Sequence, residues 1–214
     1  SLYEEVGGLD AVMPVGDLAG FDLCCRIAQL GYLVVWTPHA TLVQEGRQGA
    51  QGADTDHDSV HDRWLPVLAD DPAYNANLTL SGDAFGLEHR VALNWRPLMW
   101  RPLPVVLACT GLDCEMHDSR LAAPLQAMCD AGLIDGVLSA EWLVPAELHR
   151  LKPDAVIFQD NVCALPLDAL RRLRRLSEAF FILDVHAFLL QAPSSATVDP
   201  QQRWNELCEA ASLV

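Results

Sequence analysis

The chain has 214 residues, 51% of them hydrophobic and 20% charged, a balance that excludes an intrinsically disordered polypeptide. Asp and Glu number 29 against 14 Lys and Arg, giving a formal net charge of −15. Residues 1–103 carry 6 basic and 14 acidic groups and residues 104–214 carry 8 and 15, so neither half has the basic excess that binding a phosphate backbone requires, and no nucleic acid is expected as a partner.

The length suits one large domain or two small ones. Apolar stretches such as Ala179–Leu183 and Val105–Cys109 fall far short of the ~20 residues that span a bilayer, so no transmembrane segment is expected. The opening Ser1-Leu2-Tyr3-Glu4-Glu5 has neither the basic nor the apolar region of a signal peptide, and reads like the interior of a longer polypeptide. The seven cysteines are irregularly spaced with no Cys-x-x-Cys pair, which points to reduced thiols and a cytoplasmic location.

In chain order, Gly7-Gly8 marks a turn, and Leu23, Ile27 and Leu30 fall on one face of a helix over Phe21–Leu30 that Gly31 stops. Tyr32-Leu33-Val34-Val35-Trp36 is β-rich and closed by Thr37-Pro38, which predicts a strand. Gly46–Asp56 is polar and glycine-rich, which predicts a mobile loop. A short helix is expected over Ser59–Leu68 and an extended segment over Tyr74–Leu80. The prolines of the stretch Arg96–Pro104 block regular structure and predict a linker.

Beyond it, strands at Val105–Cys109, Gly136–Leu138, Ala155–Gln159 and Phe180–Asp184 alternate with helices. These run over Ala122–Ala131, over Pro145–Leu151 and along the Leu167, Leu170, Leu173, Leu176 stripe. Unbroken apolar strands alternating with helices imply a parallel sheet with helices on both faces. The fold class expected is α/β.

His57-Asp58-x-x-His61-Asp62 has helical metal-ligand spacing, but it lies among carboxylates suited to a solvated face, and no metal site is assigned. Arg171, Arg172, Arg174 and Arg175 form a basic helix face interrupted by Leu173, read as solvated with Leu173 buried. Asp184-Val185-His186 ends a strand, where open α/β sheets place ligands, so Asp184 and His186 are candidate substrate-binding residues. Trp36 has two readings, a substrate-binding platform on which a ligand stacks or a core or rim aromatic.

An ordered set of short motifs carries a family resemblance. It comprises Glu5-Val6-Gly7-Gly8-Leu9-Asp10, Phe21-Asp22-Leu23-Cys24-Cys25-Arg26, Gly31-Tyr32 and Trp36-Thr37-Pro38-His39-Ala40, then Arg63-Trp64 and Asp71-Pro72-Ala73-Tyr74-Asn75-Ala76-Asn77-Leu78. Together they resemble the C-terminal, acceptor-side part of bacterial family 2 glycosyltransferases, inverting enzymes with a GT-A fold. Ala123-Pro124-Leu125, Pro145-Ala146-Glu147-Leu148, Lys152-Pro153-Asp154-Ala155-Val156 and Phe181-Ile182-Leu183-Asp184 resemble the N-terminal lobe of a GT-B glycosyltransferase, as fused to such domains in lipopolysaccharide O-antigen and surface polysaccharide proteins. The expected organisation is a partial GT-A-like segment over 1–96, a Pro-rich linker over 97–104, a Rossmann-like lobe over 105–190, and a tail over 191–214 with a helix.

The resemblance implies sugar transfer from a nucleotide-sugar to a glycan or lipid-linked acceptor, at the cytoplasmic face of the inner membrane with peripheral attachment. In such enzymes a carboxylate takes the acceptor proton. A divalent metal, Mg or Mn, near an Asp-x-Asp neutralises the departing diphosphate. That motif belongs to the family's N-terminal half, so no cofactor is expected in this stretch. The usual base position, two residues before Asp22, is Gly20 here, and Val43-Gln44-Glu45 replaces the family's His-His-Glu. Asp17 and Asp22 are the remaining catalytic candidates. Asp22 also has a structural reading as an acidic cap at a helix start. Two functional readings follow: a transferase fragment whose parent is active, or a non-catalytic scaffold module that holds a glycan or a partner.

Overall fold

The computed structural model describes residues 1–10, 13, 17–35, 37–39, 41, 54–83, 85–93, 101–110, 118–159, 167–184, 205 and 208. The chain divides into two compact units, Ser1–Leu68 and Ala69–Val214.

The first unit is helical. α1 (Leu2–Glu5) is opened by a capping box between Ser1 and Glu4. α2 (Asp17–Gln29) starts earlier than the apolar periodicity alone indicates, and α3 (Asp54–Ala69) extends further toward the N-terminus, with Pro66 inside it. Val60, Trp64 and Leu68, at helical spacing on α3, pack with Ala19, Phe21 and Cys25 of α2 and with Met13. Tyr32–Val35 is not a strand. It lies outside regular structure, with Leu33 90% and Val35 73% exposed, because β-propensity needs a neighbouring strand to bond with and none of the described residues supplies one. Of the loop expected over Gly46–Asp56, residues 46–53 lie outside the described set, and Asp54 to Asp56 form the first turn of α3.

The second unit is a four-stranded parallel sheet in the order β2-β1-β3-β4, formed by β1 (Val105–Cys109), β2 (Asp135–Ser139), β3 (Ala155–Gln159) and β4 (Phe180–Asp184). Helices cover both faces, a Rossmann-like arrangement. Alternation along β1 sends Val105, Leu107 and Cys109 to one face, where they meet Leu148 and Leu151 of α5 (Pro145–Leu151) and Leu170 and Leu173 of α6 (Leu167–Leu176). Ala108 points to the other face and packs with Leu121 and with Leu125 of α4 (Ala123–Asp130). Leu173 is buried, as the arginine-flanked pattern requires.

The division between units falls between Leu68 and Ala69, ahead of the Pro-rich segment. Residues 69–93 belong with the sheet for a physical reason. The Arg150 guanidinium on α5 donates to the carbonyls of Ala69 (3.1 Å), Ala76 (3.4 Å) and Leu78 (3.1 Å), and Leu93 joins the sheet core. The Asp71–Leu78 motif is therefore part of the second unit. It forms turns there, not an extended run, closed by a single antiparallel bridge from Leu78 to Leu87. Residues 94–100 of the expected linker lie outside the described set.

Candidate functional site

In the first unit the motif residues converge on Asp22, whose side chain is fully buried. Its Oδ2 accepts from Arg26 Nε at 2.8 Å, and its Oδ1 accepts from Arg63 Nη1 at 2.8 Å and from Trp64 Nε1 at 2.9 Å. Arg26 stands four residues on, on the same helix face. Its two Nη groups donate to the carbonyls of Val6 (2.5 Å) and Gly8 (2.7 Å). Arg63 Nη1 also donates to Asp10 Oδ2 at 2.8 Å. The carbonyls reach Arg26 because Gly7 (φ 82°) and Gly8 (φ 69°) turn the chain through the left-handed region. A Cβ on Gly8 would also stand 3.0 Å from the Tyr3 ring, so glycine is needed there on two counts.

Burial alone would raise the pKa of Asp22, but hydrogen bonds from Arg63, Trp64 and Arg26 outweigh it and hold the carboxyl below its ordinary value of 3.8. Its bonds to Asp22 and to Asp10 raise Arg63 above its usual range. A carboxylate saturated by three donors and kept ionised is a weak proton acceptor. Asp22 does not cap α2 either. The helix begins at Asp17, so Asp22 is more than a turn inside it and works as a hub between the glycine loop and α3.

Gly20 lies in the helix with nothing within 4 Å of where its Cβ would be. Asp17 is the first residue of α2, with its side chain outside the described set. Trp36 and the Val43-Gln44-Glu45 motif also lie outside it. Sequence reasoning passed over Arg26 and Asp10 as partners of this hub, although the i, i+4 spacing of Asp22 and Arg26 is a legible signal.

In the second unit Asp184 ends β4, where it accepts from Arg120 Nη2 at 2.7 Å. The pair lies at the carboxyl edge of the sheet, the edge at which open α/β sheets bind ligands. The strand order places the reversal of direction between β1 and β3. His186 lies outside the described residues. Asp184 is thus brought to Arg120.

A second buried carboxylate, Glu147 on α5, was legible only as part of a motif. It accepts from Ser81 Oγ at 2.6 Å, from the Val144 backbone N–H at 3.1 Å and from the Arg90 guanidinium. Arg90 in turn holds Glu88 at 2.9 Å, which keeps that carboxyl below its ordinary value. Cys109, buried at the end of β1, has its thiol pushed up to about 12 by desolvation and is chemically inert. Cys24, Cys109, Cys129 and Cys208 are free thiols.

The Asp10 and Asp22 carboxylates face guanidinium groups, and no group of three or more His, Cys, Asp or Glu among the described residues is placed to hold an ion. His61 sits on α3, while the side chain of His57 lies outside the described set. No described helix is long and apolar enough to cross a membrane.

Fold and site together define an α/β chain with a Rossmann-like parallel sheet and a separate helical unit built around a buried Asp-Arg-Trp hub. A protein of Sinorhizobium fredii (strain NBRC 101917 / NGR234), described as the uncharacterized protein y4gI, is 32% identical to this chain over 95 residues. The match covers 40% of this chain and 10% of that protein, so this chain spans a small part of its relative's length. No family model and no solved structure matches.

Proposed function

We propose that this chain is part of a bacterial glycosyltransferase for lipopolysaccharide O-antigen or surface polysaccharide, whose parent polypeptide moves a sugar from a nucleotide-sugar to a glycan or lipid-linked acceptor at the cytoplasmic face of the membrane. One observation carries the reading. Three of the motif pieces that resemble the family 2 enzymes, Glu5–Asp10, Phe21–Arg26 and Arg63-Trp64, meet in a single hydrogen-bonded network: the carbonyls of Val6 and Gly8, and the side chains of Asp10, Asp22, Arg26, Arg63 and Trp64. Residues that recur together in a family pattern are here bonded to one another, so the pattern has a physical basis in this chain.

Within the stretch itself, Gly20 supplies no proton acceptor and Asp22 is fully engaged, which supports the second reading for this segment: a scaffold that retains the fold and holds a glycan or a partner enzyme.

The test is a turnover assay with UDP-, GDP- and dTDP-sugars and lipid-linked acceptors. It compares this chain with the longer parent polypeptide that the proposal implies, whose upstream sequence should carry an Asp-x-Asp. Nucleoside diphosphate release in step with glycosylated product is expected from the longer polypeptide alone. Product from the 214-residue chain would mean the active site is elsewhere, and neither product nor saturable nucleotide-sugar binding in either would leave the scaffold reading.

A further inference from the structure

Beneath the hub lies a cavity of about 550 Å³, within the range of small-molecule sites. Its wall combines apolar surface from Val6 and Leu9 with the polar side chains of Asp10, Arg26, Arg63 and Gln29. Two features limit what it can bind. The charges balance, because the Arg26 and Arg63 guanidinium groups are matched by the Asp10 and Asp22 carboxylates that they bond, so the cavity has no net attraction for an anion. Gln29, in contrast, is exposed, and its carboxamide makes no hydrogen bond to a described residue, so it offers both a donor and an acceptor. Balanced charge, mixed donors and acceptors, and an apolar strip match the chemistry of a neutral sugar, whose hydroxyls donate and accept while its C–H face packs on aliphatic side chains.

The cavity is separate from the transferase chemistry. Asp22, Arg26 and Gln29 follow one stripe of α2 at i, i+4 and i+7. Gly20, at about 100° per residue, is turned roughly 120–180° from them. We infer that this cavity is a binding site for a neutral glycan unit, on the face of α2 opposite the position where the related enzymes carry their base. The inference rests on the scaffold reading, to which it gives a site and a ligand class, and is independent of the transferase reading. A glycan held there is retained, not transformed.

The experiment is an NMR titration of the ¹⁵N-labelled 214-residue chain with the methyl glycosides of glucose, galactose, mannose and rhamnose, and in a separate arm with inorganic phosphate. The Trp64 indole N–H, at the cavity wall, and the Gln29 side-chain amide should move saturably with at least one glycoside and not with phosphate. Gln29→Ala, an exposed change that leaves the hub intact, should weaken the Trp64 response to that glycoside roughly 5-fold or more, as expected for losing one hydrogen-bonding group. The inference is overturned if none of the four glycosides shifts these signals, if phosphate saturates them as well, or if Gln29→Ala leaves the titration unchanged. None of these results depends on turnover, so each is distinct from failure of the transferase reading.

Discussion

The indole N–H of Trp64 donates to Oδ1 of Asp22 across 2.9 Å, joining α3 to α2 through two buried side chains 42 residues apart. The bond lies next to the packed pair of Ala19 and Trp64, so the polar hub and the small apolar core of this unit reinforce each other.

Removing the acceptor should therefore unfold the helical unit before anything else. Asp22→Ala strands the Trp64 N–H and leaves two guanidinium groups without their shared carboxylate. Arg26 and Arg63 are partly exposed and regain water, so the expected cost is about 2–3 kcal/mol, below that of a fully buried pair. Denaturant unfolding followed by the Trp64 indole resonance reads it. Trp64→Phe, which loses one donor and keeps the packing, should cost about 1–2 kcal/mol.

The same hub sets an acid limit. The folded pKa of Asp22 lies below its unfolded value of 3.8, so its contribution is complete above that value and is lost as pH falls through the folded pKa. Glu88, held below its ordinary 4.5 by Arg90, behaves in the same sense in the second unit. Stability should fall as pH drops below about 4. In Asp22→Asn the helical unit should lose most of that dependence, as measured by melting temperature against pH.

Gly20 is a helix-interior glycine with open space around it. Gly20→Ala should stabilise the chain by about 0.5–1 kcal/mol, seen as a higher denaturation midpoint. Gly20→Asp should fold normally and still release no nucleoside diphosphate from nucleotide-sugars, because a base alone does not create a donor site.

The boundary at Leu68/Ala69 predicts how the chain can be cut. A polypeptide beginning at Ala69 should unfold cooperatively. One beginning at Pro104 should not, since it lacks the carbonyls that bind Arg150 and the Ser81 and Arg90 partners of Glu147. Glu147→Ala in the longer piece should open residues 69–93 to limited proteolysis.

The strands of the sheet were legible because each is a short apolar run between turn signals, and β1, β3 and β4 have the bounds that the pattern indicates. Pro145 likewise marks the start of α5. The same rule failed at Tyr32–Val35, where an equally β-rich run has no described strand beside it. Asp22 was legible as a residue of interest, but its place was misread as a helix start, since Asp17–Leu18–Ala19 carries no strong helix signal before the periodic residues.

Local pattern thus determined the α/β class and the four parallel strands, and composition the acidic balance of both halves, because each depends on residues near in sequence or on composition. Tertiary structure alone decided the rest. It decided that Arg63 and Trp64 turn inward to Asp22, that Arg150 gathers residues 69–93 onto the sheet unit, and that Arg90 and Ser81 close on Glu147. The physical reason is common to all three. A buried carboxylate or carbonyl must find a donor, and which distant donor reaches it is set by how the elements pack, which no periodicity along the chain encodes.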